Sequence, residues 1–581
     1  MHRGLMKFCL VGAPLLALAC TGQIADRNGT GPSGPNGPAS PGGPSTGGNP
    51  GPGGPSGGNP GGPSTPGTPD PGMTTTDPPS TISGNRQCVS NKPGPRLLRR
   101  LSAEQLDNTV RDLFRGGAVP KSDVFNDPQV LGFSGDAAAL LVRDLGSQQL
   151  MSYAESVARW AVTNVAAQIA PCNQMTPDCR KQFITQFGLR AFRQPLDDAK
   201  VTRYESLFAS GTTFEQGLEL TIAAMLQSPF FLYRRELGEP DPSKPGLVRL
   251  TQYEIASNIS YLLTRSMPDD DLLKAAADNQ LRTQQQIDAQ VERLLQNPKH
   301  REGMQRFMSE WMESNRVADV LKEPKVFDLT DAMRTDMQRE TAALVEDVVF
   351  TRNGSLKDLL TADYTFVNAS LAKHYGIAGV TGTDFVKAPM PHDPGILAHG
   401  SMMAGHGGIV YSSPTLRGKL VRTRLLCENL PPPPDDVDTM IKAPENAKTT
   451  RQIFQAHVEN PVCGPCHQTM DPIGFGFEQY DVVGRFRTQE NGVPVDATGE
   501  IVGSGLKFNG LKQLVDHLAD NDAVRQCMVR FMAYSSYGAT GWADDGCTYE
   551  AVANEAKAQN WSIRAMLIAI TRAQHFTTRV Q

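Results

Sequence analysis

Cys463-Gly464-Pro465-Cys466-His467 sets two thiols three residues apart with an imidazole directly after the second. Thiols at that spacing can add to the two vinyl groups of a haem, and the adjoining imidazole can take the iron from one face. This is the attachment pattern of c-type haem. On this reading the chain carries one covalent haem c, bound through Cys463 and Cys466, with His467 as the proximal iron ligand. The same residues admit other chemistry. Cys-Gly-Pro-Cys is also the tetrapeptide of thioredoxin-like dithiols. The segment, however, follows a helix-forming stretch at 451–458 and a Pro, with no βαβ pattern around it. A Cys463–Cys466 disulfide remains open. Zinc would need two further ligands, and no second Cys-x-x-Cys exists.

The ligand for the other face of the iron does not follow from the motif. Met470 is too close to His467 in sequence to cross the ring. Candidates lie elsewhere: Met402, Met403 and His406, with His399 nearby, in what reads as a Gly-rich loop, or Met528 and Met532 on the last long helix. A thioether would raise the reduction potential and suit electron transfer, whereas an exchangeable site would suit oxidation chemistry. No recognisable distal acid–base pair argues for the second. His300, His374, His392, His517 and His575 read as ordinary core or surface residues. Gly-x-Ser-x-Gly, His-Glu-x-x-His and P-loop patterns are absent, which argues against the common hydrolases and nucleotide enzymes.

The chain's start and its other cysteines place this chemistry outside the cytoplasm. Arg3 and Lys7 precede an apolar stretch at 10–18, and Ala17-Leu18-Ala19 leads into Cys20. That layout predicts a signal peptide over 1–19, with Cys20 as the lipidated first residue of a mature lipoprotein; ordinary cleavage nearby is the alternative. No later segment has the length of a membrane-spanning helix. Eight cysteines remain once Cys9 and Cys20 are set aside, an even number that favours bridges in an exported protein. Cys172 with Cys179, across a short polar loop, and Cys527 with Cys547, between the last helices, are the candidate pairs. Partners for Cys88 and Cys427 do not follow.

The elements that must position the motif are mostly helices. Over 28–72 the chain is nearly all Gly, Pro, Ser, Thr and Asn, too poor in apolar side chains to offset ordering entropy. It reads as a disordered tether. The body begins near Pro93. Ser102 with Gln105, and Thr251 with Glu254, read as capping boxes at helix starts. Leu106, Val110, Leu113 and Phe114 line one helical face, and Ile255, Ile259, Leu262 and Leu263 another. Helical periodicity runs over most of 100–380, broken at Pro195, Pro229, Pro268 and Pro298; the best strand signal is 493–502. Arg96, Arg99 and Arg100 read as a solvated helix face. With 581 residues, 39% hydrophobic, and a net charge of -5, the chain can bury a large core and offers no basic field for nucleic acid.

Several runs in order resemble one family. Arg99-Arg100-Leu101-Ser102, Phe187-Gly188-Leu189-Arg190-Ala191-Phe192-Arg193, Gln227-Ser228-Pro229-Phe230-Phe231-Leu232, Met267-Pro268-Asp269-Asp270-Asp271 and Leu360-Thr361-Ala362-Asp363 come first. Ser413-Pro414-Thr415-Leu416-Arg417-Gly418, Pro431-Pro432-Pro433-Pro434 and Cys463 through Phe475 follow. The chain is similar to the planctomycete-type multi-module cytochrome-c-like lipoproteins, which consist of five consecutive domains of unknown function. It departs from them at Tyr537-Gly538-Ala539, where an Arg is usual. The helical periodicity and sparse strand signals predict an all-α body, or a mainly α one of helical modules with minor β, and the resemblance implies a cytochrome-like module. The expected layout is a 20–92 linker, modules at 93–165, 166–240 and 245–380, a cytochrome-c-like module at 390–490, and a C-terminal module at 505–581. The expected function is a membrane-anchored haem c redox protein of the bacterial cell envelope, facing the periplasm or cell surface, with an unidentified redox partner or surface substrate. The alternative is a non-haem surface binding or scaffold lipoprotein for a polysaccharide or protein, with the Cys-x-x-Cys pair a structural disulfide.

Overall fold

The computed structural model describes residues 93–430, 443–459, 462–538 and 547–581, without the side chains of 456, 457 and 547. The signal segment, Cys20, the Gly/Pro-rich stretch and Cys88 lie outside these residues. What is described belongs to one compact unit, Thr74–Gln581. It is mainly α, with five small antiparallel sheets of two or three strands. No helix among the described residues is long and apolar enough to cross a membrane.

Local sequence dictates where many helices start. Ser102 caps Ala103–Leu113 and Gln105 answers it; Thr251 and Glu254 do the same for Gln252–Thr264. Pro229 and Pro298 occupy the first turns of Pro229–Leu232 and Pro298–Trp311, where a missing N–H costs nothing. The expected apolar stripes pack into two cores. One gathers helices from 103–232, around Leu106, Phe114, Phe183, Phe187 and Leu218. The larger one runs from Phe133 through Ile255, Trp311, Leu397 and Ile473 to Met528 and Ile570, so residues far apart in sequence share one apolar interior.

The structure departs from the sequence expectations at three places. Arg99 and Arg100 are not on a helix face: they end the strand Leu97–Arg100, which pairs antiparallel with Tyr233–Glu236, and they are 1% and 2% exposed. Arg96 just before the strand is exposed. The Arg99 guanidinium donates to the carbonyls of Gly135 (2.8 Å), Ser536 (2.8 Å) and Ser535 (3.1 Å), the last two at the C-terminal end of the helix Asp522–Tyr537. Carbonyl oxygens at a helix end suit a buried cation. Second, Cys527 pairs with Cys427, not Cys547, while Cys172–Cys179 forms as expected. The side chain of Cys547 lies outside the described residues. Third, Met402 and Met403 sit not in a loop but in the short buried helix Gly400–Gly405.

His399, just before that helix, joins a buried polar cluster that ties 331–377 to 394–405. Thr365 and Tyr375 hydroxyls donate to Glu340 at 2.6 Å each, and His399 Nε2 lies 3.8 Å from the same carboxyl. Tyr375 in turn accepts from the Gly400 N–H, and the Thr341 hydroxyl lies 3.1 Å from His399 Nδ1. Burial pushes the Glu340 carboxyl up to about 8 and the His399 imidazole down to about 3, so both are neutral at pH 7. The signs of the linkage are opposite. Glu340 contributes stability that is full below its ordinary value of 4.5 and lost as pH rises through 8. His399 contributes stability that is full above 6.5 and lost as pH falls toward 3. The two offset between 4.5 and 6.5. From 6.5 to 8 the Glu340 effect stands alone and removes about 1.4 kcal/mol per pH unit. Glu340→Gln keeps the neutral shape and is expected to abolish that decline. Denaturant titrations of parent and variant at pH 5, 6.5 and 8 check this. A constant difference across the three would refute a neutral Glu340.

Candidate functional site

The motif sits where a helix begins. Thr450–Val458 precedes it, as the sequence indicated, and Gly464–Gly474 starts inside it with Cys463 at the N-cap and Pro465 in the first turn. The His467 N–H donates to the Cys463 carbonyl at 3.2 Å, which closes the first helical turn. Cys463, Cys466 and His467 therefore fall one turn apart on a single helix face. Both cysteines are half-buried. The described geometry brings Cys463, Cys466 and His467 together.

A second helix, Pro414–Leu420, backs the first at backbone distance. A Cβ on Gly418 would overlap the Met470 carbonyl, and one on Gly474 would overlap the Pro414 carbonyl. Only glycine permits this approach. It brings Thr415 against the motif helix. The Thr415 hydroxyl donates to Asp471 Oδ1 at 2.7 Å, and His467 Nδ1 lies 2.9 Å from Asp471 Oδ2 and 3.3 Å from Thr415 Oγ1. A carboxylate can only accept, so His467 Nδ1 carries a proton and donates it to Asp471. The Asp471 side chain is fully buried, and that of His467 is 17% exposed.

Buried arginines fasten this pair of helices. Arg417 donates to the carbonyls of Phe477 (3.0 Å), Tyr480 (2.9 Å), Asp481 (2.7 Å) and Met403 (3.3 Å), and burial pulls its guanidinium down to about 10. Arg422 donates to Thr469 at 2.6 Å and Val502 at 3.0 Å, linking the motif helix to the strands that follow it. The motif thus stands on rigid elements, which a metal or cofactor site requires.

The donor set fits a covalent haem c. Two thiols sit one turn apart beside an imidazole whose ring orientation and tautomer are set by a buried carboxyl, the usual support for a histidine ligand. The candidates for the second axial position are placed differently. Met402, Met403, Met528 and Met532 are all packed in the main core, each no more than 2% exposed. His406 is buried too, with Nδ1 donating to the Met402 carbonyl at 3.0 Å and Nε2 3.4 Å from Glu313. No group of three or more His, Cys, Asp or Glu able to hold a metal ion occurs among the described residues.

Sequence reasoning named neither Asp471 nor Thr415 as part of the site. The spacing of four from His467 to Asp471 carried the signal for the first, because such pairs meet on a helix. Thr415 lies 52 residues from His467 and no spacing rule reaches it.

Five family models match the chain in succession. They are described as Protein of unknown function DUF1587 over 99–163, DUF1595 over 179–236, DUF1592 over 250–377, DUF1588 over 394–490 and DUF1585 over 504–576. The motif lies in the fourth. No curated protein and no solved structure matches the chain.

Proposed function

This chain carries the five consecutive domains of unknown function of the planctomycete-type multi-module family, and we propose that it is an exported haem c redox protein. The observation that supports this most is the support given to His467: a motif of the attachment type, on a helix start, with its imidazole oriented by a buried carboxyl. In this reading Cys463 and Cys466 would hold the haem through thioethers and His467 would ligate its iron. The bound haem would supply one-electron redox chemistry at its iron. The chain's own part is to fix the imidazole through Asp471 and to keep the two helices in register through Gly418, Gly474 and Arg417. Lipidation at Cys20 in a bacterial envelope completes the proposal and rests on the sequence of the first twenty residues. The disulfides Cys172–Cys179 and Cys427–Cys527 suit an oxidising compartment.

The same two bridges also suit the second reading, a surface binding or scaffold protein. The experiment that separates them is a pyridine haemochrome spectrum of protein produced with the cytochrome c maturation machinery. One haem per chain that survives denaturation and acid extraction is expected from the parent, and none from Cys463→Ser/Cys466→Ser. A parent with no covalent haem leaves the scaffold.

A further inference from the structure

We infer that Asp471 is a positioning residue that makes His467 an unusually strong donor to iron, and that Thr415 moderates it. This rests on the haem reading above and adds what sets the electronic character of the site.

The geometry carries the inference. Asp471 is fully buried, so its carboxyl is not shared with solvent; the Thr415 hydroxyl meets one oxygen and the His467 imidazole the other. A carboxyl accepting the Nδ1–H of a metal-bound histidine draws that proton toward itself and raises the basicity of the opposite nitrogen. A more basic ligand favours the oxidised, more positive iron, and so lowers the reduction potential. A backbone carbonyl in the same place would do less, because it carries no charge. The contact is fixed by the helix itself, four residues on from His467, and by the glycine-mediated approach of Pro414–Leu420.

Thr415 acts with the opposite sign. Its hydroxyl donates to the far oxygen of Asp471 and takes up part of the negative charge that would otherwise fall on the imidazole. Two substitutions on one small network therefore move one observable in opposite directions. Asp471→Asn is nearly isosteric and removes the charge; Thr415→Val is nearly isosteric and removes the competing donor. A merely structural role for the network would weaken the site in both variants without giving them opposite signs.

The test is a spectroelectrochemical titration of parent, Asp471→Asn and Thr415→Val as loaded full chains. Asp471→Asn should shift the midpoint upward by at least a tenfold change in the reduced-to-oxidised ratio at fixed potential, about 59 mV for a one-electron couple. Thr415→Val should shift it downward. Haem content measured in parallel keeps the two readings apart: a parent that never acquires haem overturns the haem reading, whereas loaded variants whose midpoints match the parent overturn this one. Nitrogen-15 NMR of the unloaded chain supplies a readout independent of haem. The parent's His467 should be the Nδ1–H tautomer with a strongly deshielded proton, and Asp471→Asn should lose that deshielding. The Nε2–H tautomer in the parent would also overturn the inference.

Discussion

Glu236→Gln is expected to be among the most destabilising single substitutions in this protein, costing about 3–5 kcal/mol. Glu236 ends the strand Tyr233–Glu236 and is buried with three guanidiniums around it. Arg579 donates to its Oε2 through Nε at 3.0 Å and again through a terminal nitrogen, and Arg234 lies 3.9 Å from Oε1. Arg99 acts on it as well. Burial pushes the Glu236 carboxyl up, but Arg579 and Arg234 outweigh that and hold it below the ordinary range. Glutamine keeps the shape and removes the buried charge that Arg234 and Arg579 face. It also loosens the hold of the chain's last residues, since Arg579 belongs to Thr578–Val580, which pairs with Leu247–Arg249. The shift in the guanidinium chloride transition measures the effect. A loss under 1 kcal/mol would mean the arginines are compensated elsewhere.

The second large effect is expected at the Cys427–Cys527 bridge. It closes a loop of 100 residues that contains the whole motif helix, and it joins the segment before the motif to the helix Asp522–Tyr537. Chain-entropy reasoning assigns about 4.7 kcal/mol to a loop of that length, against about 2.4 kcal/mol for the seven-residue separation of Cys172 and Cys179. Cys427→Ala/Cys527→Ala should therefore lower stability clearly more than Cys172→Ala/Cys179→Ala, in equilibrium unfolding without reductant. Equal losses, or the reverse order, would show that the long bridge does not constrain the unfolded chain in this way.

These two cases mark the limit of what the sequence makes legible. Capping boxes at Ser102 and Thr251, the helix before the motif and the short-range Cys172–Cys179 pair depend on residues a few positions apart, and local rules find them. The strand Leu97–Arg100 was hidden because its partner lies more than 130 residues away, and because its two arginines look like surface residues until backbone carbonyls are found for them. Arg99 reaches Ser536 across 437 positions of sequence. The Cys427–Cys527 pairing was hidden for the same reason. In the site itself, the Cys-x-x-Cys-His pattern names the donors directly. The support beneath it is only half legible, since Asp471 follows from helical spacing but Thr415 depends on two glycines that let separate helices touch.

The most direct test is the mass of one peptide. Trypsin releases residues 452–485, which contain Cys463, Cys466 and His467 and no internal Lys or Arg. From protein matured in a host competent for haem c attachment, this fragment should carry the mass of one haem, with both cysteines resistant to alkylation before and after reduction. A fragment at its bare polypeptide mass, whose cysteines alkylate at once or only after reduction, would contradict the haem c assignment.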